Sequence, residues 1–407
     1  MKISHALLLY KKLRPPKKAP VHSRYRKTFF SQLDEEEKAR RRRRIPRCSL
    51  LPVKWSPWRR VYNSRNDQAM ITFTGFDCDT FAYVLSQFAP IFSEYSPFID
   101  TKYGYIMRRT NPRGRKRSIA AHDALGLVLW WTRTRGSLMA LQMLFGMTMS
   151  PLQKYLQFSK RILIKVLAKN ELAQIRMPCL DDIEKYRSMI ARRHPKLHDV
   201  WGTMDGLKCR IEQPCDCLVK RRFYNGWKCD HFVTAVLCFA PDGTIPAAFY
   251  NVPGCVHDSQ VAFWGGIYAK LKDIYEKTGL KYVVDSAFCG TTLPFLIKSG
   301  QDNCTADPDC TTYQERVENI AKKKDATSMR QAAKWGMRAV ESSFPWLKDT
   351  MIYEEHGERR ITMKMLLLLY NLRARPVGIN QIKNFYMPSL NIDANIAFLH
   401  PDGANYF

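Results

Sequence analysis

Two aspartates stand at positions where a buried strand does not normally carry a charge. Asp205 lies inside the hydrophobic stretch 201–206, and Asp285 ends the run 282–284. Aspartate is disfavoured in strands and costly to bury without a partner, so both positions require an explanation. If the two strands are neighbours, both carboxylates lie at one rim of the sheet and repel each other unless cations lie between them. Mg²⁺ binds one or two carboxylates together with phosphate oxygens, so the pattern indicates a divalent-metal site for a phosphate ester.

A third acid is available on a helix predicted over 331–344. Its apolar residues mark one face, and a neighbouring stripe at spacings of three and four residues holds Gln331, Lys334, Arg338 and Glu341. One interpretation is a solvated intrahelical pair between Arg338 and Glu341, worth about 0.3 kcal/mol. The other makes Glu341 a metal ligand, with Lys334 and Arg338 holding DNA phosphates. Spacing alone favours the surface pair.

The charge balance indicates a polyanionic partner. The 407 residues include 65 Lys and Arg against 37 Asp and Glu, a formal net charge of +28. Such a field attracts nucleic acid, with an anionic membrane surface as the rival partner. Hydrophobic residues make up 45% of the chain, which excludes a wholly disordered or collagen-like protein.

Residues 1–66 are predicted to form a flexible basic arm. They hold 20 Lys and Arg against 4 Asp and Glu, and five consecutive arginines occupy 40–44. Such a run binds phosphate backbones or serves as a nuclear import signal, although any charged solvated tail has the same composition. The sequence shows neither a signal peptide nor an apolar run of about 20 residues. We therefore expect a soluble intracellular protein that acts in the nucleus and has no membrane partner.

Residues 77–170 have a helical pattern. One helix is predicted from Asp77 to a stop at Pro90, and three shorter segments follow between 118 and 169. Short helices joined through glycine resemble a helix-turn-helix, whose last helix would enter a major groove with Lys154, Lys160 and Arg161. The alternative is a small helical bundle that packs on the next domain.

After about residue 195 the pattern becomes α/β. Strands are predicted over 200–211, 231–239 and 244–250, the last at a sheet edge because Pro246 cannot donate to a ladder. A helix over 258–277 and a strand over 281–284 follow. This order predicts a mixed sheet with helices on its faces.

The cysteines do not form a clear framework. Twelve are present, and the densest group comprises Cys209, Cys215, Cys217 and Cys229. These spacings do not match the paired short spacings of zinc sites, so scattered reduced thiols are favoured and a structural zinc is the alternative.

Five short stretches occur in an order that resembles a known family. They read MDGLK at 204–208, FYNGWK at 223–228, PGCVHDS at 253–259, VVDSAF at 283–288 and VESSF at 340–344. Together, over about residues 199–388, they resemble the DDE superfamily endonuclease domain of PIF/Harbinger-type transposases, which is related to the IS5 group of bacterial elements. Each stretch alone is weak, but five in register indicate the fold.

The resemblance implies an RNase H-like domain over 195–390, with a mixed five-stranded sheet flanked by helices. It carries an acidic triad onto Asp205, Asp285 and Glu341, which would hold two Mg²⁺ or Mn²⁺ ions for in-line displacement at a phosphodiester bond. The implied reaction is hydrolysis at element ends and transfer of the 3′-OH ends to target DNA. The implied partners are double-stranded DNA with element termini, further copies of the chain on that DNA, and a separate Myb-like DNA-binding helper protein.

Basic and aromatic residues near these acids are candidates for DNA contact. The cations comprise Lys208, Arg221, Arg222, Lys228, Lys334 and Arg338. Tyr224 and Trp227 stand among them, as on a surface that holds unpaired DNA, because every base offers a π-face. Packing of the two rings in the core is the competing interpretation.

His257 and Asp258 are secondary candidates. Asp258 or Ser259 can cap the helix that follows, which is a purely structural role. His257 could instead contact the metal site or a displaced strand end.

Two further functions are compatible with the sequence. A domesticated, catalytically silent relative would keep the fold and the basic surface and bind DNA without cutting it. A basic protein of membrane surfaces is disfavoured because the cations surround an acidic sheet rim instead of lining an amphipathic helix. Salt dependence separates phosphate binding from apolar insertion.

Overall fold

A computed structural model describes residues 45–99, 106–108, 117–134, 137–288, 293–299, 310 and 312–387. The chain divides into two compact units at Leu50. Of the first unit the structure describes 45–50, with a 3₁₀ turn at Arg47–Ser49. The second unit begins at Leu51, so it includes the last part of the predicted basic arm, whereas 1–44 lies outside the described residues.

The helices of the second unit are numbered in chain order. In the described residues they are α1 Pro57–Ser64, α2 Asp67–Thr74, α3 Cys78–Glu94, α4 Ala121–Arg133, α5 Leu138–Phe145, α6 Met149–Lys169, α7 Leu180–Arg193, α8 Cys217–Phe223, α9 Asp258–Trp264, α10 Ile267–Thr278, α11 Tyr313–Ser343, α12 His356–Ala374 and α13 Gln381–Tyr386, with 3₁₀ turns at Val53–Trp55 and Pro345–Lys348. Within this described part, no helix has the length and apolar character needed to cross a bilayer.

The strands form a small ribbon and one mixed sheet. They are β1 Tyr95–Ile99, β2 Ile106–Arg108, β3 Val200–Arg210, β4 Tyr224–Asn225, β5 Asp230–Phe239, β6 Ala248–Pro253, β7 Lys281–Val284 and β8 Leu296–Lys298. Strands β1 and β2 pair with each other. The main sheet follows the five-strand order β4-β5-β3-β7-β8, and β6 pairs with β5 beside this path. Strand β3 is antiparallel to β5 and parallel to β7, so the predicted mixed sheet is observed.

Both faces of the sheet are buried. Along β5, Val233, Ala235 and Leu237 contribute to a large core shared with the helices of the N-terminal half, α11 and α12. Val236 and Cys238 point the other way, into a second core that includes residues of α9 and α10. Burial on both sides explains why the sequence of β5 is almost continuously apolar.

Two predicted boundaries in the sheet domain are corrected. The third strand covers Ala248–Pro253 instead of 244–250. The Asn371 side chain accepts a hydrogen bond from the N–H of Ile245 at 2.8 Å and donates one to the Ile245 carbonyl at 3.0 Å. The backbone of Ile245 is therefore satisfied outside the ladder, although β6 does lie at an edge as predicted. The helix predicted over 258–277 is broken between α9 and α10, where Gly266 has φ +67° and starts the second helix.

The N-terminal helices form a bundle with the sheet domain. Helix α3 continues through Pro90, contrary to the predicted stop, because the ring removes only one backbone N–H while Phe88 and Phe92 on either side are buried. Helix α6 packs against α3, α4 and α12. Its Lys160 is buried under the Trp131 ring, and Arg161 forms an ion pair with Glu358 of α12. These two cations are therefore used inside the fold, as the bundle interpretation requires.

Helix α11 crosses the sheet at very close range. A Cβ atom added at Gly336 would lie 2.6 Å from the ring of Phe239, which is itself buried in β5. Glycine thus allows the helix backbone to approach the strand, and it fixes the height of α11 above β3, β5 and β7.

Gly336→Ala is expected to lower the free energy of unfolding by about 1 to 2 kcal/mol, because the cost of overpacking exceeds the gain in helix propensity. Gly357→Ala is the matched control, since that glycine also lies in a helix but has nothing within 4 Å of an added Cβ. It is expected to stabilise the protein by about 0.5 to 1 kcal/mol. Urea unfolding of both variants measures the two values, and equal shifts of the same sign would contradict close packing at Gly336.

Candidate active site

The parallel pairing of β3 and β7 brings two acids to one rim. Thr203 of β3 lies opposite Val283 of β7, and the two strands run in the same direction. Asp205 and Asp285 each follow two residues later along the chain and so reach the same end of the pair. The predicted adjacency of the two strands is therefore confirmed. Both aspartates, together with Asp258 and Glu341, line one cavity of about 1130 Å³.

Asp205 is a partly buried carboxylate at the end of this cavity nearest the strands. Its Oδ1 accepts a hydrogen bond from the N–H of Gly206 at 2.8 Å. Burial raises the pKa of Asp205, and the negative charges of Asp285 and Asp258 raise it further, while the Gly206 N–H and the Arg330 charge act in the opposite direction. A group with these surroundings gains from any additional cation that enters the cavity.

Asp285 is held by two sets of donors. Its Oδ1 accepts from the backbone N–H of Ser286 at 2.6 Å and from the Ser286 hydroxyl at 3.2 Å. Its Oδ2 forms an ion pair with Nη2 of Arg330 at 2.6 Å, and both side chains are about one fifth exposed. The Nε of Arg330 is buried and has no hydrogen-bond partner in the described residues, so this guanidinium is incompletely satisfied.

Sequence reasoning missed Arg330. The predicted helix began at residue 331, whereas α11 begins at Tyr313. Arg330 precedes Glu341 by eleven residues, which is three helical turns, so both side chains share one face. That spacing is the signal by which Arg330 could have been found.

Asp258 does not have the predicted capping role. It is the first residue of α9, and the N-cap residue His257 makes no side-chain capping bond. Oδ1 of Asp258 is buried without a hydrogen-bond partner in the described part of the chain, and Oδ2 lies 3.9 Å from the Lys208 ammonium. Burial raises the pKa of Asp258, the Asp285 charge adds to this effect, and Lys208 and His257 oppose it. Asp258 is therefore a cavity carboxylate with a free oxygen.

The backbone of β3 makes room for Asp258. A Cβ atom at Gly206 would lie 2.4 Å from Oδ2 of Asp258, so only glycine allows this carboxylate to reach the strand. His257 is exposed, lines the same cavity, and its Nδ1 lies 3.0 Å from the Ser259 hydroxyl.

Glu341 lines the cavity from α11, together with Met337 of the preceding turn. Within the described ranges it forms no ion pair with Arg338, so the predicted surface pair is absent. Burial raises the pKa of the neighbouring Cys209 thiol to about 12, and the charge of Glu341 adds to the effect. Lys334 and Arg338 do not line the cavity.

The remaining predicted DNA contacts divide into two groups. Lys208 and Lys228 line the cavity, together with the rings of Tyr224 and Trp227. Arg221 and Arg222 are exposed on α8 but do not line it. The cavity therefore combines carboxylates with cations and aromatic rings.

The donor chemistry of this cavity suits a hard divalent cation. Asp205, Asp258 and Asp285 offer carboxylate oxygens, and Oδ1 of Asp258 has no other partner in the described chain. Arg330 however holds the position beside Asp285 that a cation would take. Among the described residues, no three His, Cys, Asp or Glu side chains stand close enough to hold one ion together, which also gives the zinc alternative no support.

A family model matches the part of the chain that contributes the four cavity acids. Residues 204–371, which include all four cavity acids, match the family model described as DDE superfamily endonuclease. This similarity supports a nuclease- or transposase-like function for the sheet domain, whose mixed α/β architecture is consistent with a DDE nuclease fold. Members of this superfamily generally use divalent metal ions. Comparisons with curated proteins and with solved structures found no significant match.

Proposed function

We propose that this protein is a divalent-metal-dependent DNA endonuclease of the transposase type, and specifically of the PIF/Harbinger subtype with an RNase H-like catalytic domain. One observation carries the proposal. Asp205, Asp285 and Glu341 come from a strand, a strand end and a helix, and all three line one cavity in the segment that is similar to DDE endonucleases.

The chain supplies the cavity with metal ligands and phosphate contacts. Asp205, Asp285 and Glu341 would hold Mg²⁺ or Mn²⁺ once these side chains draw together and Arg330 releases Asp285, and Asp258 is a further oxygen donor within the same cavity. When bound, a pair of such ions supplies an activated water or 3′-OH and stabilises the leaving oxygen. Lys208 and Lys228 would contact phosphate oxygens of the DNA strand at the rim. Within the described residues Glu341 forms no ion pair with Arg338, which leaves its carboxylate available as a ligand.

The proposal also covers the DNA substrate, the cellular location and the partners of the protein. The net charge of +28 supports binding to double-stranded DNA. We further propose that this DNA comprises the termini of a mobile element and that the protein transfers the freed 3′-OH ends to target DNA. We include in it a nuclear location, assembly of several copies on DNA, and a Myb-like helper protein that recognises the ends. Arg221, Arg222, Lys334 and Arg338 lie outside the cavity and would contact DNA flanking the cleavage position.

A second function has one observation in its favour. Arg330 neutralises Asp285 within the protein itself, as it would in a domesticated relative that binds DNA without a metal. The two functions differ in whether a divalent cation displaces that ion pair.

Nicking of supercoiled plasmid by the purified chain tests the proposal. We expect nicking with Mg²⁺ or Mn²⁺ and none with EDTA, because the cavity carboxylates need a bound cation to act on a phosphodiester. Asp205→Asn is the control for a contaminating nuclease, since it removes a ligand charge without changing the shape of the side chain. It should bind DNA but not nick it.

Two results would contradict the proposal. Nicking that persists in Asp205→Asn would assign the activity to a contaminant or to another site. Wild-type protein that binds DNA but cuts neither plasmid nor short terminal-repeat duplexes, with either metal and with a candidate helper, would favour the silent DNA-binding protein.

A further inference from the structure

Trp227 is placed where a core residue would not be. Its side chain is 88% exposed at the rim of the acidic cavity. An exposed indole costs free energy in water, because its large apolar surface stays hydrated. The competing sequence interpretation, in which Trp227 packs in the core, is therefore wrong.

The loop that carries Trp227 is held in one shape. Strands β4 and β5 form a hairpin with Tyr224 opposite His231 and Asn225 opposite Asp230. Asn225 donates from Nδ2 to the carbonyl of Gly254 at 2.8 Å and accepts from the N–H of Lys228 at 3.0 Å. The backbone that carries the indole is consequently held in place, so binding has to order only the side-chain rotamer of Trp227.

The surroundings of Trp227 suit a nucleotide. Tyr224 is 42% exposed and lines the same cavity, and the Lys228 and Lys208 side chains lie there as well. A flat apolar ring beside cations matches a base next to its phosphate, whereas an uncharged apolar peptide would not use the charge. Trp55 and Trp264 are also more than half exposed, but neither lines the cavity.

We infer that Trp227 is a stacking platform for an unpaired nucleobase beside the phosphate that enters the acidic cavity. This inference rests on the proposed function, because it uses the same cavity, and it narrows the substrate to DNA that is single-stranded or opened at this point. A base inside an intact duplex has no free face, so the duplex must open for the indole to stack. Each stacked base contributes to affinity regardless of its identity.

Binding in EDTA tests the inference independently of cleavage. Two probes of equal length are used: a continuous duplex, and a duplex with a short single-stranded gap that carries 2-aminopurine. We expect wild-type protein to quench 2-aminopurine fluorescence and to bind the gapped probe more tightly than the duplex. Trp227→Ala should weaken binding to the gapped probe about 5- to 100-fold, as expected for the loss of one stacked base, and leave duplex binding unchanged.

Two variants make the comparison specific. Trp264→Ala removes an exposed indole outside the cavity and should bind both probes as wild type does. Trp227→Phe keeps an aromatic face and should recover most of the affinity. The stacking role is excluded if Trp227→Ala binds the gapped probe as tightly as Trp264→Ala does. It is also excluded if Trp227→Ala loses as much affinity for the duplex probe as for the gapped probe. If the protein shows no nuclease activity but Trp227 still contributes to binding of the gapped probe, the proposed catalysis is rejected and the stacking role of Trp227 is retained.

Discussion

Arg330→Gln is expected to lower the free energy of unfolding by about 2 to 3 kcal/mol in EDTA and to recover most of that loss in millimolar Mn²⁺. The guanidinium is the only cation that the structure describes in direct contact with Asp285, and Asp205 and Asp258 carry like charges in the same cavity. Removing Arg330 from this mostly buried pair leaves the Asp285 carboxylate with its Ser286 donors but without a compensating charge. A bound metal ion replaces the lost charge, and binding to the folded state alone stabilises it by mass action.

The same substitution should tighten metal binding. Wild-type protein must break the pair between Arg330 and Asp285 before a cation takes its place, and the glutamine variant has no such pair to break. Thermal unfolding with EDTA or Mn²⁺ and direct titration with Mn²⁺ by electron paramagnetic resonance measure both effects without any assay of cleavage. We expect about tenfold tighter Mn²⁺ binding, which corresponds to about 1.4 kcal/mol of competition.

Lys334→Gln is the matched control for Arg330→Gln. It removes the same charge one turn further along α11, from a side chain that does not line the cavity. Its stability should change by less than about 0.5 kcal/mol with or without metal. If Arg330→Gln responds to Mn²⁺ no more than wild type and Lys334→Gln do, Arg330 does not compete with a metal for Asp285.

Lys160→Met is expected to stabilise the protein by about 2 kcal/mol at pH 7 and by almost nothing at pH 10.5. Burial lowers the pKa of Lys160 to about 8 from its usual 10.5, although Glu358 and Glu355 of α12 pull it upward. The shift alone corresponds to about 3 kcal/mol. The Trp131 ring face, 3.3 Å from the ammonium, attracts the charge and offsets part of that cost.

The sign of the pH dependence follows from proton binding. Between pH 8 and 10.5 the unfolded chain keeps the proton on Lys160 while the folded chain releases it. Wild-type stability therefore rises with pH through this window relative to a variant that cannot titrate. Urea unfolding of wild type and Lys160→Met at several pH values isolates the contribution of this one group.

Lys169→Met serves as the control for Lys160→Met. Lys169 is exposed at the end of the same helix, α6, and its replacement should change stability by less than about 0.5 kcal/mol at every pH. An advantage of Lys160→Met that stays constant between pH 7 and 10.5 would show that the Lys160 ammonium is solvated in the folded protein.

Much of the sheet could be predicted from the sequence. Strands β5 and β7 have nearly continuous apolar runs and the first half of β3 is buried, and an aspartate inside or directly after such a stretch marks the rim where β3 and β7 pair. Loop detail depended on distant side chains. Asn371 comes from α12 and shifts the start of β6, which no local pattern around 244–250 reveals.

The site was predictable only in part, for the same physical reason. Asp205, Asp285 and Glu341 could be identified by type and position, but what each carboxylate contacts depends on tertiary packing. Arg330 faces Asp285 because Gly336 lets α11 settle on Phe239, and Asp258 reaches β3 because Gly206 has no side chain. Contacts that depend on the absence of a Cβ atom at a distant glycine cannot be inferred from the sequence spacing of the site residues.

Helix α11 also has a consequence for how a metal ion can enter the site. It runs without a break from Arg330 to Glu341, so the two side chains leave it about 16 Å apart along its axis. A continuous helix does not shorten, and Asp285 is tied to the Arg330 end. Oδ2 of Asp285 therefore becomes available to a cation only when Arg330 releases it, so opening of this ion pair is a step that metal binding at Asp285 must include.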